Sequence, residues 1–157
     1  VARAREVELD CEAPFAAAAA RVVGARAEEV FAQADGILDL EDPERVHDMR
    51  VATRRLRAAL EIFEPCFPRK RRRKALKRVK ALADALGARR DADVEIELLE
   101  GVAAEVQGED RVALESLLGK LRVEQRSANE ELRSYVTGKR LKKLRRRLRK
   151  LARSAAG

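Results

Sequence analysis

Tryptophan is absent from the 157 residues, and the only aromatic side chains are four Phe and one Tyr. Stacking on aromatic faces therefore cannot be the main binding device. Glycine (8) and proline (4) are scarce as well. Gly24, Gly36, Gly87 and Gly101 stand alone, so no glycine-rich loop is available to cradle a nucleotide phosphate. The single histidine, His47, excludes a multi-histidine metal site and argues against a histidine-based triad. Cys11 and Cys66 lack metal-ligand spacing and read as two reduced thiols, the cytosolic pattern. No run of 18 apolar residues exists, so no membrane-spanning helix is expected. The alanines at 16–20 form too short and too weakly hydrophobic a stretch for a secretory leader. The expectation is a cytoplasmic protein that uses neither a metal nor an organic cofactor.

What remains is charge and helix formers. Apolar residues make up 46% of the chain, enough for a core and too many for full disorder. Ala, Leu, Arg and Glu dominate, which favours helices over sheets. The net charge of +8 is unevenly distributed. Residues 1–46 carry net −6, 47–90 net +11, 91–137 net −7 and 138–157 net +10. Two separate positive blocks point to a polyanionic partner.

The length suits one domain. Residues 1–11 read as a linker or extension, and 12–157 as the helical domain. Six helices are expected. The first spans about 14–34 and stops at Asp35-Gly36. The second runs to about residue 63, with Asp42 as N-cap and Pro43 at the first helical position. The third spans about 69–86, with Gly87 as a left-handed C-cap. The fourth begins at Arg90 or Asp91 and ends near Val106, before Gly108. The fifth spans about 109–135, and the sixth runs from after Gly138 to about Arg153. No segment alternates apolar and polar residues, so the fold class is all-α, an antiparallel bundle.

The second helix carries the sharpest pattern. At 100° per residue, Met49, Ala52, Leu56, Ala59, Leu60 and Phe63 share one stripe. His47, Arg50, Arg54 and Arg57 share another, at i, i+3, i+7 and i+10. They make a linear row rather than a pocket. Asp48 and Glu61 are too few to neutralise it, and an unneutralised cationic row destabilises a helix unless an anion uses it. An Arg-rich face is commonly just a solvated one, and a lone His commonly filler. In the third helix, nine basic residues and no acidic one fall between Arg69 and Lys80. Lys70, Arg73, Lys74, Lys77 and Lys80 share one face there. The short connection makes the two helices antiparallel neighbours whose basic faces could border one groove. Arginine offers phosphate a planar fork and lysine a mobile point charge.

The stretch Val46-His47-Asp48-Met49-Arg50-Val51-Ala52-Thr53-Arg54-Arg55-Leu56-Arg57 resembles the signature of the CHAD family, the conserved histidine α-helical domain. Leu82-Ala83-Asp84-Ala85-Leu86-Gly87-Ala88-Arg89-Arg90-Asp91-Ala92-Asp93-Val94 resembles its second signature, a leucine-glycine followed by an Arg-Asp-x-Asp-Val run. The resemblance covers about residues 12–153 and is firm over 43–100. It implies a helical bundle that binds inorganic polyphosphate on a basic surface, without catalysis. By position it implies His47, Arg50, Arg54 and Arg57 as ligands, with Arg73, Lys77 and Lys80 from the next helix. Arg90 and Asp91 match the second signature, either as ligands or as an internal ion pair.

The chain departs from the family in carrying one His-and-Arg helix where full members carry two related halves. It therefore resembles an N-terminal half, either a natural short form or an excised piece. Two copies facing a common groove would restore the missing half, so a homodimer is expected. Glu6-Val7-Glu8-Leu9-Asp10 lacks the lysine of the triphosphatase barrel often fused to such domains, so that activity is not expected. The leading function is non-catalytic polyphosphate binding, with polyphosphate granules a possible location. The alternative is a nucleic-acid-binding protein using the same surface. Its best support is the last helix, with ten basic residues between Lys139 and Arg153. There Leu141, Leu144, Leu148 and Leu151 form a stripe, the mark of a packed helix with a cationic back.

Overall fold

The computed structural model describes residues 3–156. Five α-helices make up the bundle among these residues: α1 (Phe15–Ala32), α2 (Pro43–Ile62), α3 (Arg69–Ala103), α4 (Glu109–Val136) and α5 (Gly138–Ala152). A short 3₁₀ turn, Glu64–Cys66, joins α2 to α3. None of the described residues lies in a strand, as the composition predicts. No helix among them is long and apolar enough to cross a membrane.

The apolar stripes read from the sequence are the ones that pack. Met49, Ala52, Leu56 and Leu60 of α2 are buried against Ala19, Val23, Ala27 and Val30 of α1 and Ala75, Val79, Leu82 and Leu86 of α3 in one core. The leucine stripe of α5 closes that core, with Leu144, Leu148 and Leu151 buried and Leu141 packed at the edge. α5 lies mainly on α1 and also touches α3 and α4. A smaller core, Ile96, Ala103, Leu118 and Leu121, holds the distal ends of α3 and α4 together as a helical hairpin.

The expected third and fourth helices are one. Gly87 does not cap anything: α3 passes through it as a 35-residue helix. Only Gly36, Gly108 and Gly138 hold positive φ among the described glycines. A glycine in a helix interior costs about 1 kcal/mol relative to alanine. Burial of Ala85, Leu86, Arg89, Ala92 and Asp93 on both sides of Gly87 outweighs that cost. Two other boundaries do use glycine. Gly36 has φ +70 in the α1–α2 turn, where the Arg45 guanidinium lies 3.2 Å from any Cβ added there. Gly138, with φ +65, lets the chain turn into α5 after the single extended residue Thr137. Asp42 occupies the N-cap position of α2, but its carboxylate accepts from Arg45 Nε at 2.8 Å instead of capping the helix.

The segment before α1 is fastened to it. The Arg5 backbone N–H donates to Glu29 Oε1 at 2.6 Å, and Arg21 and Arg26 donate to the carbonyls of Glu8 and Arg5.

Candidate anion-binding surface

The cationic row of α2 is arranged as its periodicity predicts. Leu56 is fully buried on the core side. Thr53, also fully buried, turns its hydroxyl back to donate to the Met49 carbonyl at 2.7 Å. On the other side Arg50 and Arg54 are exposed, while His47 and Arg57 are half-buried. None of the four has a hydrogen-bond or ion-pair partner among the described residues. Arg57 goes further, because its Nε is out of solvent and still unpaired. A buried N–H without an acceptor costs roughly 1–3 kcal/mol, so an anion that reached it would recover that cost. Along the helix axis His47 to Arg57 spans about 15 Å.

On α3, Arg73, Lys77 and Lys80 come together with Arg69, Lys70 and Lys74 around an open cleft of about 840 Å³. Leu76 is its only other lining residue. None of these six cations is paired among the described residues. Asp84, the first acid on this face, lies one turn beyond Lys80 and outside the lining. The cleft belongs to α3 alone, so the basic faces of α2 and α3 sit on adjacent packed helices and do not wall one cavity.

Arg90 stands apart from this group. It is ten residues past Lys80, about 15 Å along the axis, and half-buried with its Nη1 unpaired. No ion pair joins it to Asp91, which is exposed. Consecutive helix residues do not face each other, so that pair could not form within one helix. The internal ion pair of this signature is instead Arg89–Asp93, one turn apart, with Nε 3.0 Å from Oδ1. Arg89 also donates to Asn129 Oδ1 at 3.0 Å, and Asn129 donates to the Leu38 carbonyl at 3.0 Å. Gln125 Nε2 donates to Asp93 Oδ1 at 2.7 Å. The second signature therefore ties α3 to α4 and to the α1–α2 loop. Burial pushes the Asp93 carboxyl above the usual range, with Gln125 and then Arg89 pulling it back.

Arg72 is another basic residue that is structural. It is buried, pairs with Glu64 and reaches the Leu60 carbonyl at 3.4 Å. The sequence reading did not separate it from its exposed neighbours. The signal was present, since Arg72 falls on the same face as Val79 and Leu86. Arg69, Lys70 and Lys74, which complete the α3 cleft, were legible from the same periodicity. No group of three or more His, Cys, Asp or Glu side chains among the described residues could hold a metal ion.

The surface thus offers arginine forks and lysine ammonium groups without acids between them. It can hold a flexible, highly charged anion by charge-assisted hydrogen bonds. The family model of the CHAD domain matches residues 21–157 of the chain. No curated protein matches it.

Proposed function

The chain belongs to the CHAD domain family, and on that premise we propose that it binds inorganic polyphosphate on the basic faces of α2 and α3. The family is associated with polyphosphate binding. The observation that carries the reading here is the α3 cleft, six cations with no acid in its lining and no partner among the described residues. A chain of tetrahedral phosphates, each bearing charge, matches such a surface better than any single small anion. His47, Arg50, Arg54 and Arg57 would contact phosphate oxygens along α2. Arg73, Lys77 and Lys80 would do so along α3. Arg90 would take part only at the far end of a long polymer. A protonated His47 would add one more cationic donor to its row. The module holds its ligand and does not cleave it.

The deciding experiment is a binding titration with long-chain polyphosphate across a salt series. Affinity should fall steeply as salt rises, because each neutralised phosphate releases counterions. Competition by duplex DNA at matched phosphate concentration separates the readings. Stronger competition by DNA than by polyphosphate would overturn this one in favour of a nucleic-acid partner.

A further inference from the structure

α5 distributes its cations in two different ways. On the side toward α1, Arg145 and Arg149 both pair with Glu28, Arg149 at 2.7 Å. On the side toward α3 there is no such acid. There Arg140 and Arg147 of α5 face Lys74, Lys77 and Arg78 of α3 across a cleft of about 430 Å³. Leu82 and Leu144 from the core reach its lining, and Tyr135 at the end of α4 contributes to the wall. The same seam continues past Lys74 and Arg147 into a second hollow of about 240 Å³, reached by Arg71 and Lys150. No acidic side chain lines either part.

Two packed helices edged with like charge repel each other along their seam. The core leucines hold them together, and a bound polyanion would turn the repulsion into attraction. We propose that the α3–α5 cleft is a second phosphate-binding site, adjoining the α3 face assigned above and sharing Lys74 and Lys77 with it, that takes a short run of linked phosphates. The inference rests on the polyphosphate reading for the identity of its ligand, while the unneutralised cleft stands without it.

The shape of the site favours a ligand without a ring. The Arg140 guanidinium already lies over the Tyr135 ring, 3.9 Å from its centroid, so that face is not free to stack a base. Arg71, Lys74 and Arg78 repeat at i, i+3 and i+7, which aligns them along about 10 Å of α3. Lys74 and Lys77 also line the open cleft on the outer face of α3. A polymer could therefore pass over α3 from one site to the other through these two lysines.

Tyr135 is the only Tyr and the chain has no Trp, so tyrosine emission reads this cleft alone. The intact chain is titrated with sodium tripolyphosphate while tyrosine emission is followed. Total binding of long-chain polyphosphate is followed in parallel by calorimetry. The expected result is a saturable emission change. Its midpoint should move about tenfold or more in Arg147→Gln, since a charge-assisted contact is lost. The same shift is expected in Arg78→Gln, which lines this cleft and not the open one. It should stay in place in Lys142→Gln, an exposed α5 charge outside the cleft. Silent emission alongside calorimetric binding overturns the second site and leaves the proposed function standing. A midpoint that moves in neither cleft variant, or an equal response to sodium sulfate at matched ionic strength, also overturns it. Absence of both heat and emission change overturns both readings together.

Discussion

Arg89 and Asp93 sit one turn apart on α3 with their side chains 0% and 1% exposed, and the whole charge of the pair is taken up inside the bundle. The geometry is incomplete. Arg89 Nη2 and Asp93 Oδ2 have no partner among the described residues, and the Arg89 Nε–H is not aimed well enough to count as a hydrogen bond despite its 3.0 Å approach. Burial therefore costs the carboxylate more than Arg89 and Gln125 return, which is why its proton affinity is raised.

That asymmetry predicts unequal mutations. Arg89→Met strands the Asp93 carboxylate and leaves Asn129 Oδ1 without its donor. Removing one partner of a buried pair costs about 3–5 kcal/mol. Asp93→Asn leaves Arg89 without its counter-charge, but it keeps an acceptor for Gln125 and removes the carboxylate that burial disfavours, so it should cost less than Arg89→Met. Chemical denaturation of both variants checks this. Equal costs would mean that the two charges sustain each other after all.

Stability should also depend on pH through Asp93. Its folded-state pKa lies above its unfolded value. The stability it contributes is therefore complete below the unfolded value and is lost as pH rises through the folded one. Asp93→Asn lacks that titration. The difference between wild type and Asp93→Asn should shift in favour of the variant as pH rises from acid toward neutral. A difference that stays constant across that range would contradict a raised Asp93.

Glu28 titrates in the opposite sense. Hydrogen bonds from Arg149 and Arg145 lower its pKa. Its contribution is present above the unfolded value and is lost as pH falls through the lowered one, in the acid range below the ordinary carboxylate. What it secures is the docking of α5 on α1. Protection of the α5 amides against hydrogen exchange, taken relative to the intrinsic rate at each pH, should therefore fall in acid, and Glu28→Gln should remove that fall. All three side chains are partly exposed, so high salt should shrink the effect.

The bundle and its stripes were legible because period-3.6 burial dominates every helix. The α2 row was legible for the same reason: four cations on one face with few acids in reach. The α3 break at Gly87 was misread because local punctuation outranked a tertiary cause, a buried network whose members Gln125 and Asn129 lie over 30 residues away. Arg72 and Arg89 look like any other arginine in a basic run until packing places them inside. The α3–α5 cleft could not be read at all. It depends on which flank of α5 meets α3 and on Glu28 lying against the other flank.

Binding should be lost residue by residue along α2. Arg54→Ala removes an exposed fork and Arg57→Ala a half-buried one. Each should weaken polyphosphate binding by about 1.5–3 kcal/mol, the value of a hydrogen bond to a charged group. Arg57 should sit at the upper end, since its Nε gains an acceptor only from the ligand. Helicity by circular dichroism should not change in either variant, because both side chains lie away from Leu56. Unchanged affinity in both would place the site elsewhere.

A last expectation concerns the distal half of α3. Val94, Leu98 and Val102 repeat at i, i+4 and i+8 and are 44%, 66% and 43% exposed. They form an apolar stripe on the acidic part of the chain, with Asp91, Glu95 and Glu105 around it. A second copy of the chain is the proposed cover. Lys139, Lys142, Lys143 and Arg146 of its α5, exposed and outside the α3–α5 cleft, complement these acids, and the contact repeated about a two-fold axis closes the assembly. The net charge of +8 on each chain opposes association. Bound polyphosphate relieves that opposition, so it should favour the dimer by linkage. Light scattering at about 0.15 M salt, near physiological ionic strength, should show a dimer that polyphosphate strengthens. Leu98→Asp should give a monomer without loss of helicity. A wild-type monomer with and without polyphosphate would sink the dimer and leave the basic faces of α2 and α3 as a one-sided, open surface.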